Sequence, residues 1–231
     1  MAMRGKKYKE AQKKIASEKK YSLAEGISTI KEFAHAKFDE SIDAHVNIGI
    51  DPAKGEQAVR GSVLLPHGTG KKVRVIVFAK GDYAEQAKKA GADYIGTDDL
   101  VDKILNGWLD FDFAVATPDI MGMVGKLAKL LGPKGLLPNK KVGTVTFDVA
   151  DIVQDLKKGR VFFKNDKNAI IHFTFGKKSF EVKQLQENVS AFLRALASSK
   201  PPSSKGKFIK KVTITPTMGP SIAVNLDEIK L

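Results

Sequence analysis

Val73–Ala79 reads VRVIVFA, and this short run decides the fold. It is apolar apart from Arg74 and rich in β-branched residues, as expected of a strand buried on both faces. A helical stretch, Tyr83–Ala90, follows it and is closed by Gly91. Tyr94–Ile95 then reads as a short strand. Asp98–Leu105 reads as a helix with acidic residues in its first turn and Asn106-Gly107 at its end. Phe113–Ala116 is the next predicted strand. Ile120–Leu131 places Val124, Leu127, Ala128, Leu130 and Leu131 at helical spacing, and Gly132-Pro133 is expected to stop it. Val142–Phe147 and Asp148–Lys158 complete the series as strand and helix. Four strand–helix alternations in about 90 residues imply a parallel sheet with helices on both faces.

The flanks follow another pattern. Ser22-Leu23-Ala24-Glu25 has the form of a capping box and predicts a helix to about Ala36. Ser41–Ile50 alternates, with Ile42, Ala44, Val46, Ile48 and Ile50 on one face and Asp43, His45 and Asn47 on the other. Beyond the centre come predicted strands at Arg160–Lys164 and Ala169–Phe175, a helix over Glu181–Ser198, and strands at Phe208–Thr215 and Ser221–Leu226. The helix carries Val182, Leu185, Val189, Phe192, Leu193 and Leu196 on one stripe. Neither flank has enough elements for a core of its own. The expectation is therefore a discontinuous α+β domain I from residues 1–67 and 160–231, with a Rossmann-like three-layer α/β domain II inserted over 68–159. Gly68, Gly70 and Gly159 stand at the two crossings and are candidate hinges, since glycine tolerates large changes in φ and ψ.

Charge divides along the same lines. The 231 residues carry a formal net charge of +13, of which residues 1–67 hold +3, 68–159 hold +2 and 160–231 hold +8. A near-neutral centre between basic flanks points to one assembled surface that meets a polyanion, with nucleic acid foremost. The absence of cysteine excludes disulfides, thiolate metal sites and a cysteine nucleophile, and it suits a reducing cytoplasm. No apolar run approaches the roughly 20 residues needed to span a bilayer, so no membrane association is expected. The N-terminal stretch lacks the apolar segment of a secretory signal.

Catalytic signatures are missing. Neither GxGxxG nor GxxxxGK[ST] follows the first central strand, and there is no HExxH or GxSxG. His35, His45, His67 and His172 are dispersed, and His45 and His172 on alternating strands read as surface or structural residues. No enzyme activity, metal or cofactor is expected. The nucleic-acid reading has more material. Arg4, Lys6, Lys7, Lys9, Lys13, Lys14, Lys19 and Lys20 form a basic N-terminal run suited to phosphates or to a solvated helix face. Lys205, Lys207, Lys210 and Lys211 lie beside the turn Thr215–Pro220, which offers backbone N–H groups, a hydroxyl and a glycine. Lys164–Asn168 has hairpin-turn composition. Lys37-Phe38 sits between a helix and a strand, where Phe38 can stack on RNA or join the core.

Several stretches carry a family resemblance. IMGMVGKLAKLLGPKGLLPN (120–139) followed by KVGTVT resembles the signature of the bacterial L-one family of large-subunit ribosomal proteins. AKFDESIDAHVNIGID (36–51), VRGSVLLPHGTGKKVRV (59–75), NDKNAIIHF (165–173) and FIKKVTITPTMGPSIAV (208–224) resemble it in the same order, so the likeness runs from end to end. Lys140 stands where the family usually has proline, and Ala169 where glycine is common. The resemblance implies a split domain I, an inserted domain II and an rRNA site on domain I. Carried over position by position, that site is Lys37, Phe38, Glu40, Asp166, Lys167, Thr217, Met218 and Gly219, with Arg4, Lys6 and Lys7 nearby. Lys37 and Lys167 then supply charge, and Thr217 and Gly219 present hydroxyl and backbone groups to 2′-OH and base edges. Phe38 and Met218 act more as packing than as readout, and Asp166 accepts from a 2′-OH or orients Lys167.

The function so implied is that of a non-enzymatic protein of the mobile ribosomal stalk near the exit site, a monomer when off the ribosome. Its implied partners are 23S rRNA, exit-site tRNA whose release it assists, and its own operon mRNA, whose translation it represses. Two rivals stay open. One is a nucleotide-binding enzyme built on the central sheet, which saturable nucleotide binding by residues 68–159 would support. The other is a general RNA binder using its basic ends, which predicts little discrimination among RNAs.

Overall fold

The computed structural model describes residues 5–15, 20–204 and 206–225. The chain divides into two compact units, one from residues 1–70 and 162–231 and the other from residues 71–161.

The first unit is built on an antiparallel sheet of β1 (Ser41–Ile48), β7 (Ile170–Lys177), β8 (Ile209–Pro216) and β9 (Ile222–Val224), in the order β7-β1-β8-β9. Alternation fixes its two faces. Ile42, Ala44, Val46 and Ile48 of β1 are buried, as are Ile171, Phe173 and Phe175 of β7 and Val212 and Ile214 of β8. Ile50, predicted to continue that face, lies beyond the strand and is half-buried. On the buried side pack α2 (Leu23–Phe33) and α8 (Val182–Ser198), with Phe173 stacked on Phe192 at 3.9 Å between ring centroids. Ser22 caps α2 by accepting the Glu25 N–H at 3.2 Å. The helix ends at Phe33, three residues before its predicted end. Gly26 lets α2 approach β8, because a Cβ there would lie 3.2 Å from Ile214 Cδ1. A ribbon of β2 (Arg60–Leu64) and β6 (Arg160–Lys164) and the basic helix α1 (Lys6–Lys14) complete the described elements.

The second unit has the parallel sheet β4-β3-β5, formed by β3 (Val75–Phe78), β4 (Tyr94–Gly96) and β5 (Phe113–Ala116). All four residues of β3 are buried, as its apolar sequence requires. Ile76 and Phe78 face a cluster that includes Leu100 and Ile104 of α4 (Asp98–Leu105), Val124 of α5 (Met121–Val124), Leu131 of α6 (Ala128–Lys134), and Leu127 between α5 and α6. Helices α3 (Asp82–Lys89) and α7 (Val149–Lys158) pack on each other and on β3. The fold is thus mixed α/β and α+β.

Two predicted elements differ. The helix expected over Ile120–Leu131 is α5 and α6 joined by a 3-10 turn at Gly125–Leu127, and it runs on through Pro133 to Lys134. Gly122 and Gly125 weaken regular α-helix there, and Pro133, which has no N–H to give the Lys129 carbonyl, stands one residue before the helix ends at Lys134. The strand expected over Val142–Phe147 is reduced to one parallel bridge, Ala116 to Val145, because Gly143 adopts a left-handed φ of 83°.

Candidate nucleic-acid interface

The candidate residues gather at the two ends of β1. Ser41 at one end pairs with Lys177, and Asn47 near the other pairs with Ile170. Six residues at about 3.4 Å each set these ends roughly 20 Å apart.

The first end is organised by Glu40, whose side chain is fully buried. One carboxyl oxygen accepts the Ala36 N–H at 2.6 Å and the other accepts the Met218 N–H at 3.1 Å. One side chain therefore ties the loop before β1 to the turn after β8, 178 residues later. The same loop is pinned from the other side. The Ser179 N–H and hydroxyl donate to Asp39 at 3.0 and 2.9 Å, and the Lys178 ammonium donates to the Ala34 carbonyl. Thr217 locks the turn itself. Its hydroxyl accepts the Ser41 N–H and donates to the Ser41 carbonyl, both at 3.1 Å. Gly219 is compulsory here, since a Cβ would lie 2.5 Å from Pro216 Cγ.

This geometry corrects two expectations. Phe38 and Met218 are not packing residues. They are 55% and 54% exposed, because Glu40 takes the interior place between their two loops and leaves both side chains outside. The Thr217 hydroxyl is not a free group awaiting a ligand, since its proton is already given to the Ser41 carbonyl. Lys37 is exposed beside Phe38.

The second end is organised by Asp166. Its Oδ1 accepts the Asn168 and Ile170 N–H groups, each at 2.8 Å, and closes the turn between β6 and β7. The Ile170 N–H is the main cause that holds this carboxyl below its ordinary pKa, with Asn168 and His172 adding to it. Asp166 thus builds the turn rather than orienting Lys167, which is exposed beside it. Ala169 sits in the same turn with φ 58°, the left-handed region that favours glycine, and it is the only non-glycine residue so placed among those described. Between the two ends the outward sheet face carries Asp43, His45, His172, Thr174 and Thr213. Burial pushes the His45 pKa down, and His172 adds to the fall against an opposing pull from Asp43.

Lys6 and Lys7 are exposed on α1, whereas Arg4, Lys19 and Lys205 lie outside the described residues. The candidate hinges have definite local roles. Gly159 closes α7 at φ 113°, its N–H donating to the Asp155 and Leu156 carbonyls. Gly68 has φ 62° and accepts from the side-chain amide of Asn188 at 2.9 Å. Gly70 has φ 71° beside the Phe180 ring. Asn188 was missing from the sequence reading. It is wholly buried, and it also donates to the Phe175 carbonyl and accepts the His67 N–H. Its signal was a polar residue on the apolar stripe of a helix. In the second unit, the cavity lined by Tyr94, Lys103, Asn106 and Trp108 has no glycine-rich phosphate loop. No described helix is long and apolar enough to cross a membrane.

Comparison with known proteins places the chain in a family. Residues 30–220 match the Ribosomal protein L1p/L10e family. The Thermus thermophilus protein called large ribosomal subunit protein uL1 is 49% identical over 226 residues, covering 97% of this chain and 99% of its own. The Kosmotoga olearia protein of that name is 50% identical over 225 residues, covering 97% of each.

Proposed function

The chain belongs to the Ribosomal protein L1p/L10e family, and from that premise we propose that it is a structural, non-catalytic component of the large ribosomal subunit that binds 23S rRNA through its first unit. The observation that carries this reading is the platform at Glu40. Two large apolar side chains stand exposed on loops that a buried carboxyl group and a network of backbone bonds hold rigid. Exposed apolar groups on a fixed support suit unstacked bases of structured RNA, which proteins read by stacking and by contacts to 2′-OH groups. Lys37 and Lys167 supply phosphate contacts at the two ends of β1, and α1 adds Lys6 and Lys7.

The reading extends to a place on the mobile stalk near the exit site of the cytoplasmic ribosome, where the protein assists release of deacylated tRNA. It also includes repression of the protein's own operon mRNA through an RNA element that imitates the rRNA site. Gly68, Gly70 and Gly159 serve as the hinge that lets the inserted second unit move while the first stays anchored. The test is binding to a stalk rRNA fragment against an equal-length scrambled hairpin across a salt series. A preference that persists as salt rises supports the reading. Equal binding that collapses with salt leaves the general RNA binder in its place.

A further inference from the structure

The four histidines are scattered in sequence, yet the register of the sheet brings two of them together. His45 of β1 lies directly opposite His172 of β7. Both project from the face opposite the apolar core, since their neighbours Ala44, Val46, Ile171 and Phe173 are buried. Their Nδ1 atoms are 2.8 Å apart, with ring centroids at 5.0 Å and planes at 67°. One proton bridges such a contact; with both rings protonated at Nε2 instead, the two Nδ1 atoms are free donors, and a turn of each ring about its Cβ–Cγ bond brings both to bear on one ion.

We infer that His45 and His172 form a two-histidine chelate for a divalent transition-metal ion on the outward face of the sheet. The spacing is the first argument. With metal–nitrogen bonds of about 2.0–2.1 Å, donors 2.8 Å apart subtend an angle of roughly 85–90° at the metal. That is the cis angle of a square-planar or octahedral ion, the geometry of Cu(II) and Ni(II). A tetrahedral ion would require the nitrogens to part by about half an ångström. The outer ring nitrogen supplies the second argument. His172 Nε2 stands 3.6 Å from Asp166 Oδ2, beyond a direct hydrogen bond, and the nearby carboxylate favours the proton on Nε2, which leaves Nδ1 free for a metal. Charge supplies the third, because Asp43 and Asp166 flank the pair and favour a cation there. Asp43 is itself held by the Thr174 hydroxyl.

Among the described residues no set of three or more metal-binding side chains converges on one point. The pair therefore supplies two donors, water fills the remaining positions, and the site is exchangeable rather than a closed structural one. The His172 side chain is 58% exposed, which leaves the ion an open approach. Because the donors come from adjacent strands, binding staples β1 to β7.

The test is calorimetric titration of Ni(II) and Cu(II) into the full chain, its His45→Thr and His172→Thr variants, and a His35→Ala control at an unrelated exposed histidine. Threonine suits the face, which already carries Thr174 and Thr213. The expected result is one equivalent bound at micromolar metal by the wild type and the control, with that binding lost in either pair variant. Ni(II) should raise the melting temperature of the wild type and not of the pair variants. One-to-one binding that survives in either pair variant overturns the inference. Electron paramagnetic resonance of the wild type with one equivalent of Cu(II) is independent of any variant's folding. Two equatorial imidazole nitrogens are expected, and a single one overturns the chelate.

Discussion

The two ends of β1 use the same device for different ends. At each, one carboxyl group accepts two backbone N–H bonds and so fixes a loop. Glu40 does this fully buried and joins residues 36 and 218, which the sequence keeps far apart. Asp166 does it half exposed and within five residues. A local turn at the surface can exchange a lost acceptor for water. A buried tie between distant segments cannot, so the Glu40 end is the rigid one. The exposed apolar residues stand at that end, whereas the Asp166 end bears a lysine and a strained alanine. Under the proposed function, shape recognition falls to the first end, with Lys37 adding charge there, and phosphate contact by Lys167 to the second.

The largest expected effect falls on Glu40→Ala. It strands two backbone donors, and an unsatisfied buried group costs about 1–3 kcal/mol. Urea unfolding should show a loss of about 3 kcal/mol, together with a fall in selective rRNA binding. A loss under about 1 kcal/mol would erase the difference between the two ends. Next comes Phe38→Ala, expected to weaken stalk-rRNA binding by about 1–3 kcal/mol, the scale of one base stacked on an aromatic side chain, and then Met218→Ala, expected to weaken it less because a thioether offers no ring face. Melting temperature should not change, because neither side chain is in the core.

Asp166→Ala should cost less than Glu40→Ala, since water replaces part of what the carboxyl provided. Its pH dependence sharpens the contrast. The folded-state pKa lies below the unfolded value, so the contribution is present above about pH 3.9 and lost as pH falls through the lower folded pKa. The difference in stability between wild type and variant should close in that acidic window and nowhere near neutrality. Lys167→Ala should leave discrimination among RNAs intact while reducing the salt slope by a little under one unit. The smallest effect is expected of Ala169→Gly. Relief of left-handed strain, about 1–2 kcal/mol, is offset by about 0.4–1 kcal/mol of added unfolded-state freedom and the loss of a buried methyl group. A net loss of stability beyond about 1 kcal/mol would mean that the turn is not strained as its φ implies.

Much of the frame was legible in the residues. VRVIVFA read as a buried strand, and all of Val75–Phe78 is buried. The alternation from Ile42 to Ile48 gave both faces of β1, and Ser22 marked the start of α2. The misses share a cause. Glu40 enters the sequence reading only as a site position implied by the resemblance, and nothing local shows that Met218 and Ala36 turn their N–H groups toward it. His45 and His172 become a pair only through strand register. Asn188 betrays itself only as a polar residue on an apolar stripe, and its partners Gly68 and Phe175 are fixed by tertiary packing. The fragmented helix at 121–134 reflects glycines whose effect depends on the core beneath. Periodicity reports which face is buried, but not which distant group meets it.

The most direct test of the account is the discrimination ratio, the affinity for a stalk rRNA fragment over that for a scrambled hairpin of equal length. It should be measured at fixed salt for the wild type and the Phe38→Ala/Met218→Ala double variant. The account predicts that the ratio collapses in the double variant while scrambled-hairpin binding and melting temperature stay at wild-type values. A ratio unchanged by loss of both side chains would contradict it and move rRNA recognition away from the Glu40 platform.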